Sequence, residues 1–257
     1  SESLTARQYD RWLQGRSLSG KAYEFFASVP GSMFVNTPVF RLDRLLRLRA
    51  DQRLLDVGCG RASLLQVLAS RVRFEKPPVG IDLSPEMLRR ARRDSARAMS
   101  PDISLVQGSA LSLPFRSELF DVVTSSYLIK HLDDAGLVRL LREMHRVLKA
   151  GGLALLWEFG PTRSESLNRW HRWLLTRGVE SCNLRSFADI AAAATSSGFE
   201  WVENAHLRPF LFPPIPRVSV ILGKAPEEWR QRTGPGRARH ASRGMMDSQP
   251  IDTAGSP

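Results

Sequence analysis

The sequence contains no apolar run long enough to cross a lipid bilayer. Such a crossing takes about 18–20 consecutive apolar residues, whereas the longest runs here, residues 152–157 and 218–222, have the length of β-strands. The first residues also lack the apolar stretch that a signal peptide carries. We therefore expect no membrane span and no secretion.

Cysteine is nearly absent, since Cys59 and Cys182 are the only two in the 257 residues. Two cysteines so far apart form no disulfide framework and do not have the spacing of a zinc site. We therefore expect no bound metal, and a cytoplasmic protein in which both thiols are reduced.

Basic residues are abundant, but aromatic residues do not accompany them. The formal net charge is +11, and 32 of the 37 basic residues are arginines spread over most of the chain. The basic run 88–98 contains no aromatic side chain of the kind on which single-stranded nucleic acid stacks. We favour solvated helix faces as the explanation, and a nucleic acid or membrane surface is the alternative.

From residue 53 onward, strand-like apolar runs alternate with amphipathic helices. This order predicts an α/β fold with a Rossmann-like, doubly wound sheet that is mostly parallel. The last two strands are joined by a segment too short for a crossover helix, which predicts a C-terminal antiparallel hairpin. The strands are predicted at 53–57, 78–83, 103–108, 120–127, 153–159, 199–208 and 216–223. The helices are predicted at 62–72, 84–98, 133–149, 165–177 and 186–197.

Composition divides the chain into three parts. Residues 1–50 have a helical pattern, with a capped helix over 36–49. Residues 51–223 form the predicted α/β domain, with a helical insertion at about 161–185. Residues 224–257 are rich in glycine, proline, serine and arginine, which predicts a disordered basic tail.

Polar residues and glycines follow four of the predicted strands, at the point where each strand ends. Ligands of open α/β sheets bind at the carboxyl ends of the strands. Four loops that meet at this edge therefore predict a site for an extended ligand. In chain order, the residues are Asp56, Gly58 and Gly60, then Asp82, then Gly108, Ser109 and Ala110, then Ser125, Ser126 and Tyr127.

Two aspartates indicate which ligand the site holds. Asp82 ends the second strand, where a carboxylate can accept hydrogen bonds from both hydroxyls of a ribose. Asp56 lies two residues before Gly58, where it would repel the pyrophosphate of a dinucleotide but suit a cationic group. Ser63 also replaces the third glycine of the dinucleotide pattern. An adenosine joined to a cationic amino acid is S-adenosylmethionine, which we expect as the cofactor.

Five segments in the correct order resemble the motifs of class I S-adenosylmethionine-dependent methyltransferases, most of all the UbiE-like, type 11 enzymes. The resemblance covers roughly residues 50–160 and implies a methyltransferase domain with a Rossmann-like fold. The segments are LLDVGCGRASLL (54–65), VGIDLSPEML (79–88), VQGSALSLPF (106–115), FDVVTSSYLIKHLDD (120–134) and LREMHRVLKAGGLALL (141–156).

The resemblance implies that the first two motifs bind the methionine and ribose parts of the cofactor. Asp56 and the turn formed by Gly58, Cys59 and Gly60 would hold the methionine part, with Cys59 as a small apolar filler. Asp82 would accept hydrogen bonds from the ribose hydroxyls.

The end of the second motif and the two motifs after it would bind the rest of the cofactor. Leu83 would flank the adenine, Ser109 and Ala110 would meet the adenine edge, and Ser125 and Ser126 would lie beside the reactive sulfur. Many members of the family have an acidic residue where Ser109 stands, which implies weaker cofactor binding here.

Methyl transfer to the acceptor depends more on how the two reactants are oriented than on a catalytic side chain. Methyl transfer from a sulfonium is an in-line displacement, and orientation can provide most of its acceleration. His131 is the candidate general base, because it follows the fourth strand and the unperturbed pKa of a histidine suits proton transfer at neutral pH. Its alternative role is to cap or orient the next helix. Glu158 is a second candidate base or a ligand for a cationic acceptor.

Large apolar residues outside the motifs have two possible roles each. N-terminal helices form a lid in this family, so Tyr9, Trp12, Tyr23 and Phe26 within residues 1–50 are expected to form a lid or to pack as core. In the insertion, helical spacing predicts core packing, with a cover over an apolar acceptor as the alternative. These residues are Leu167, Trp170, Trp173 and Leu174.

The expected function is methyl transfer from S-adenosylmethionine to a small or lipid-like molecule. The fourth strand ends in TSSY, not in the D/N-P-P-Y pattern of amino-group DNA methyltransferases, and no Pro-Cys pair follows it for cytosine C5 chemistry. An RNA or protein methyltransferase, supported only by the net charge, is one alternative. A protein that binds S-adenosylmethionine without catalysis is another. The oligomeric state is left open.

Overall fold

The computed structural model describes residues 42–97, 102–175, 182–207 and 216–225. These ranges contain seven strands in one sheet and six α-helices. The strands are β1 (Leu54–Val57), β2 (Val79–Asp82), β3 (Ser104–Gln107), β4 (Phe120–Ser126), β5 (Leu148–Phe159), β6 (Trp201–Asn204) and β7 (Arg217–Gly223). The helices are α1 (Leu42–Leu45), α2 (Ser63–Arg71), α3 (Pro85–Arg97), α4 (Asp134–Val147), α5 (Glu165–Leu175) and α6 (Phe187–Ser196).

The strand order across the sheet is β3-β2-β1-β4-β5-β7-β6. Strands β1 to β5 pair in parallel, while β7 runs antiparallel to both β5 and β6. The order reverses between β1 and β4, which is the topological switch point where ligands of such sheets bind. The prediction of a mostly parallel, doubly wound sheet with a C-terminal antiparallel hairpin is confirmed.

Both faces of the sheet are buried under helices. Successive residues of a strand point to opposite faces, so Leu55 and Val123 pack in the cluster that contains α4 and α6 residues. Their neighbours Leu54 and Val122 pack in a second cluster with α1 and α2 residues. Strands buried on both faces read as continuous apolar runs, which explains why the sequence pattern identified them.

Three helices begin at side chains that cap them. The Ser84 hydroxyl accepts a hydrogen bond from the Met87 amide at 3.0 Å, directly before α3. The Asp133 carboxylate accepts from the Gly136 amide at 2.7 Å and caps α4. Ser186 caps α6 in a capping box with the first-turn acid of that helix. These side chains satisfy amides that have no partner within the helix.

The prediction that α4 continues to Lys149 and ends at two glycines is wrong. The helix ends at Val147, and Leu148 already pairs with Phe120 as the first residue of β5. The register then shifts before Leu153, so the glycines belong to an irregularity in the strand. A Cβ on Gly152 would lie 2.9 Å from the Lys149 carbonyl oxygen, so glycine is needed there for close backbone approach.

Several predictions concern the ends of the domain. Within the predicted helix 36–49, the described helical part is α1, and it is followed by Arg47 in the left-handed region. Lys224 and Ala225, assigned to the tail, are buried, and the Lys224 amide donates to the Gly152 carbonyl. Parts of other predictions lie outside the described residues: the lid over 1–41 with its four aromatic residues, and the tail over 226–257.

Candidate active site

Parallel pairing brings the predicted site residues to one edge of the sheet. Asp56 of β1 lies in register with Gly80 of β2 and with Thr124 of β4. Asp82 pairs with Gln107 at the end of β3. Because all these strands run in the same direction, the loops that follow them emerge side by side.

The turn after β1 uses its backbone amides internally. The Gly58 and Cys59 amides donate to the Ile81 carbonyl at 2.8 and 3.0 Å. The Gly60 amide donates to Asp82 Oδ2 at 2.8 Å, and the Ala62 amide donates to the Cys59 carbonyl. A dinucleotide site directs such amides at a pyrophosphate. Here they are engaged by carbonyl and carboxylate oxygens, so the turn is not built as a pyrophosphate cradle.

Asp56 is an almost fully buried acid at the switch point. Its side chain accepts a hydrogen bond from Thr124 Oγ1 at 2.7 Å, and the residue is 2% exposed. Burial raises the pKa of the Asp56 carboxyl to about 7, and the nearby negative charge of Asp82 adds to that shift, while the Thr124 hydrogen bond opposes it. A cation placed beside this carboxylate would therefore be strongly favoured.

Asp82 is held in a fixed orientation at the end of β2. One carboxylate oxygen accepts from the Gly60 amide, and the other accepts from the Ser84 amide at 2.9 Å. The Asp82 carbonyl also accepts from the Gly108 amide at 3.1 Å, which joins the second and third loops. A rigid carboxylate with both oxygens oriented is what two adjacent ribose hydroxyls require.

The predicted adenine side consists of the loops after β2 and β3. The Ser109 hydroxyl accepts a hydrogen bond from the Leu111 amide at 3.0 Å, which shapes the loop. Ala110 is buried, whereas Leu83 is half-buried. The Gln107 side chain reaches the Leu83 carbonyl at 3.5 Å and links the two loops.

The end of β4 lies next to the turn after β1. The Ser125 hydroxyl donates to the Val57 carbonyl at 3.0 Å, so this serine is buried and engaged with the protein. Ser126 is half-buried and pairs in register with Trp157. Tyr127 follows with φ of 53°, a left-handed conformation that is uncommon for an aromatic residue.

A buried polar cluster beside β4 and β5 was not foreseen from the sequence. The Lys130 ammonium lies 3.6 Å from the Glu158 carboxylate and donates to the Tyr127 carbonyl. Its nitrogen is 5.5 Å from the Tyr127 ring centre and 5.7 Å from the Phe159 ring centre. Arg217 of β7 donates to the Tyr127 hydroxyl at 2.7 Å. No local sequence signal could reveal this cluster, because its members come from separate elements.

Glu158 is therefore not the accessible base or cation ligand that the sequence suggested. The residue is fully buried and accepts hydrogen bonds from the amides of Lys130 and Phe159. Burial raises the pKa of the Glu158 carboxyl, opposed mainly by the positive charge of Lys130. The positive charge that pairs with Glu158 is thus Lys130 of the protein, not a cationic acceptor. Tyr127 has a pKa raised to about 12 by burial, with Arg217 opposing the shift.

His131 lies in a 3-10 turn, Ile129–His131, between β4 and α4. The residue is half-buried, and its amide donates to the Leu128 carbonyl at 3.0 Å. The alternative of a helix cap is not what the structure shows, because Asp133 caps α4. His131 stays the candidate base.

Arg185 is the second feature that the sequence did not indicate. Its guanidinium is buried and donates to the carbonyls of Ile129 and Leu132 at 2.7 and 2.6 Å. It also contacts Asp134 Oδ1 at 3.0 Å. The end of the insertion is thereby attached to the turn that carries His131.

Cys59 has the filler role that the sequence suggested. It is 8% exposed, and burial followed by the charges of Asp82 and Asp56 raises the pKa of its thiol. A protonated, buried thiol is a poor nucleophile. Among the described residues, no group of histidine, cysteine and acidic side chains could hold a metal ion. None of the described helices has the length and hydropathy needed to cross a membrane.

Comparison with known proteins agrees with this geometry. Residues 54–152 match the family described as "Methyltransferase domain". The matched segment begins at β1 and ends in β5, so it contains every loop of the candidate site named above up to the Lys130 turn.

Two curated relatives share about a third of their aligned residues with this chain. The 2-phytyl-1,4-naphtoquinone methyltransferase of Thermosynechococcus vestitus is 33% identical over 134 residues, which is 52% of this chain and 58% of the relative. The demethylmenaquinone methyltransferase of Listeria monocytogenes is 35% identical over 109 residues, 42% of this chain and 45% of the relative. The chain thus spans about half the length of these relatives.

A solved structure shares the fold at lower identity. Phosphoethanolamine N-methyltransferase 2 of Haemonchus contortus, in complex with phosphomonomethylethanolamine and S-adenosylhomocysteine, superimposes with a TM-score of 0.64 at 22% identity. The match covers 85% of this chain and 61% of that one. Residues 54–152 therefore match a methyltransferase domain, and the chain shares the fold of this solved methyltransferase, as the order of its motifs predicts.

Proposed function

We propose that this protein transfers the methyl group of S-adenosylmethionine to a small, apolar, ring-bearing acceptor related to the quinones. One observation carries the cofactor half of the proposal: the amides of the first turn are used internally, while two carboxylates, Asp56 and Asp82, line the switch point. This arrangement suits a cation joined to a ribose and disfavours a pyrophosphate.

The described residues fit that cofactor. Among the residues that the structure describes, nothing lies within 4 Å of the position that a Cβ on Gly60 would take, so this part of the turn leaves room beside Asp82 for a ligand. When bound, S-adenosylmethionine supplies an electrophilic methyl group on a sulfonium. Asp56 would stabilise its positive charge, and Asp82 would bind its ribose hydroxyls. Leu83, Ser109 and Ala110 would contact the adenine.

The acceptor half of the proposal is supported by the aromatic rings beyond the sulfur side. The ring centres of Tyr127 and Phe159 are 4.7 Å apart, and the Lys130 ammonium lies beside both rings. A flat acceptor can pack against such rings. The names of the two relatives describe methyltransferases of naphthoquinone-type molecules.

The chain would contribute orientation and proton removal to the reaction. Holding the sulfonium in line with the acceptor atom can provide most of the acceleration. His131 is the proposed general base, needed only where the acceptor must lose a proton. We also propose a cytoplasmic location, supported by Cys59 and Cys182 being free thiols.

Two measurements test the proposal. Calorimetric titration should show binding of S-adenosylhomocysteine and none of NAD, and the reverse result would refute the cofactor assignment. A methyl-transfer screen should then find activity on a quinol or phenol in preference to fatty acids or tRNA. Binding without transfer to any acceptor would instead identify a non-catalytic cofactor-binding protein.

The net charge of +11 supports one competing function, an RNA or protein methyltransferase. Neutralising many phosphates makes affinity fall steeply with salt. Transfer to tRNA with such a salt dependence would favour this alternative, and a salt-independent transfer to a quinol would exclude it.

A further inference from the structure

Helix α5 turns large apolar side chains outward and buries polar side chains against the protein. Leu167, Trp170 and Trp173, spaced by three residues, are 41%, 45% and 54% exposed. Asn168 and His171 on the same helix are 6% and 1% exposed. A helix at the surface of a globular protein normally buries its apolar stripe. The prediction that these apolar residues pack in the core is therefore wrong for all three whose exposure is described.

The rotation of α5 is fixed by hydrogen bonds on its inner face. Asn168 Oδ1 accepts from the Thr162 amide at 2.6 Å and from the Thr162 hydroxyl at 2.8 Å. Asn168 Nδ2 donates in return to the Thr162 carbonyl at 3.0 Å. Turning the apolar stripe inward would break all three bonds, because they anchor the helix to the loop that follows β5. The hydrogen bonds between Asn168 and Thr162 therefore fix the apolar stripe on the outer side of α5.

Arginines flank the stripe. Arg163 and Arg169 are exposed on or just before the helix, and Arg172 pairs with Glu165. The helix and its leading loop therefore carry three arginines and one glutamate. Helices that lie in a membrane interface combine tryptophan and leucine with arginine. Their indole rings enter the boundary between head groups and acyl chains, and their guanidinium groups contact anionic head groups.

The position of α5 relates this surface to the acceptor side of the site. The helix follows β5, whose last residues are Glu158 and Phe159, at the edge where the strands end. After the helix, Arg185 returns the chain to the turn that carries His131. An apolar molecule that leaves a membrane beneath α5 would arrive at the side of the domain where we place the acceptor.

We propose that the outer face of α5 binds the surface of a membrane that contains anionic phospholipid. A second copy of the chain is a poorer occupant, because a twofold contact would place the same arginines against each other. The membrane supplies both an apolar boundary and the opposite charge. The inference goes beyond the proposed function, and it does not require the acceptor to be a quinone.

The test is vesicle flotation of the full chain. One set of vesicles is phosphatidylcholine alone, and in a second set about a third of the lipid is phosphatidylglycerol. Wild type is compared with Trp170→Ser/Trp173→Ser and with Arg169→Glu. The matched control is Leu45→Ser, which removes a 39% exposed apolar side chain from a different helix, α1. Thermal unfolding checks that every variant is folded.

We expect wild type and Leu45→Ser to float with the anionic vesicles, and the double tryptophan variant to bind about tenfold more weakly or worse. Arg169→Glu should weaken binding to anionic vesicles only. Unchanged binding of the double variant would overturn the proposal, as would a wild-type dimer in lipid-free solution that the double variant fails to form. Titration with S-adenosylhomocysteine on the same samples separates this result from a failure of the proposed function, since cofactor affinity should be equal in all four proteins.

Discussion

Thr124 Oγ1 donates a 2.7 Å hydrogen bond to Asp56 Oδ1, and this bond joins the two central strands of the sheet at the candidate site. Thr124 is fully buried and Asp56 nearly so. The acid is thus held away from water with one hydroxyl as its partner, which is why its pKa is raised to about 7. A carboxyl in this state responds both to pH and to a neighbouring cation.

Asp56→Asn is expected to stabilise the cofactor-free protein above neutral pH. The folded protein keeps the Asp56 proton up to about pH 7, whereas an unfolded chain loses it near the ordinary pKa of 3.8. Stability should therefore fall as pH rises through that interval, at a cost on the order of 4 kcal/mol above it. Urea unfolding at pH 8 should give a higher free energy of unfolding for the variant, with little difference at about pH 4. Equal stability of the two proteins at pH 8 would contradict a raised pKa of the buried Asp56 carboxyl.

Cofactor affinity should depend on the same proton. A cation binds the ionised form of Asp56, so binding below about pH 7 must release a proton, and affinity should fall by up to about tenfold per pH unit. Calorimetry of S-adenosylmethionine binding in buffers of different ionisation enthalpy measures that release. Asp56→Asn should bind more weakly at pH 8 and show no such proton release. A wild-type affinity independent of pH between about 5 and 8 would argue against a cation at Asp56.

Asp82→Ala should weaken both S-adenosylhomocysteine binding and the fold. The variant loses the proposed ribose contacts as well as the acceptor for the amides of Gly60 and Ser84. Leaving amides unsatisfied costs about 1–3 kcal/mol each. Asp121→Asn is the matched control, because Asp121 binds Lys149 near the opposite end of β4. An unchanged dissociation constant for Asp82→Ala would remove the ribose assignment.

Lys130 and Glu158 should depend on each other for stability. Removing one member of a buried ion pair leaves an uncompensated charge and typically costs about 3–5 kcal/mol. We expect Lys130→Met and Glu158→Gln each to be strongly destabilising, and the double variant to lose much less than the sum. Lys130→Met should recover in part at low pH, where Glu158 is protonated. Additive losses in the denaturant-based cycle would show that the 3.6 Å contact does not couple the two residues.

Ser109→Asp is expected to tighten cofactor binding about fivefold, the effect of one added hydrogen bond. An aspartate can still accept from the Leu111 amide, as the Ser109 hydroxyl does at 3.0 Å, and it offers a further acceptor to the adenine amino group. Ser109→Ala is the control and should bind no better than wild type. A weaker Ser109→Asp complex would place the adenine elsewhere.

The fold was predictable because the central strands are buried on both faces. β1 and β4 appear in the sequence as apolar runs, and polar residues mark their ends. The end of α4 was mispredicted because glycines can both terminate a helix and permit close approach of strands. Gly152 has the second role, and only the register of β5 against β4 reveals it.

The cofactor side of the site was predictable to the extent that it depends on strand ends. Asp56 and Asp82 were identified from their positions after apolar runs, and the segment that contains those motifs matches a methyltransferase domain. The contact between Tyr127 and Arg217 spans 90 positions, and only the pairing of β7 with β5 brings them together. Helical spacing likewise indicates that Trp170 and Trp173 lie on the same side of α5, but not that this side faces outward.

Arg185 has a consequence for engineering. Its guanidinium and the Asn183 side chain supply the hydrogen bonds that the carbonyls of Ile129 and Leu132 receive from the insertion. A chimera that exchanges the insertion for that of a relative, but keeps this turn, would remove these donors, and the Ile129 carbonyl would keep only its bond from the Leu132 amide. Substrate range should therefore be transplanted by moving the turn and the insertion together, as a single cassette.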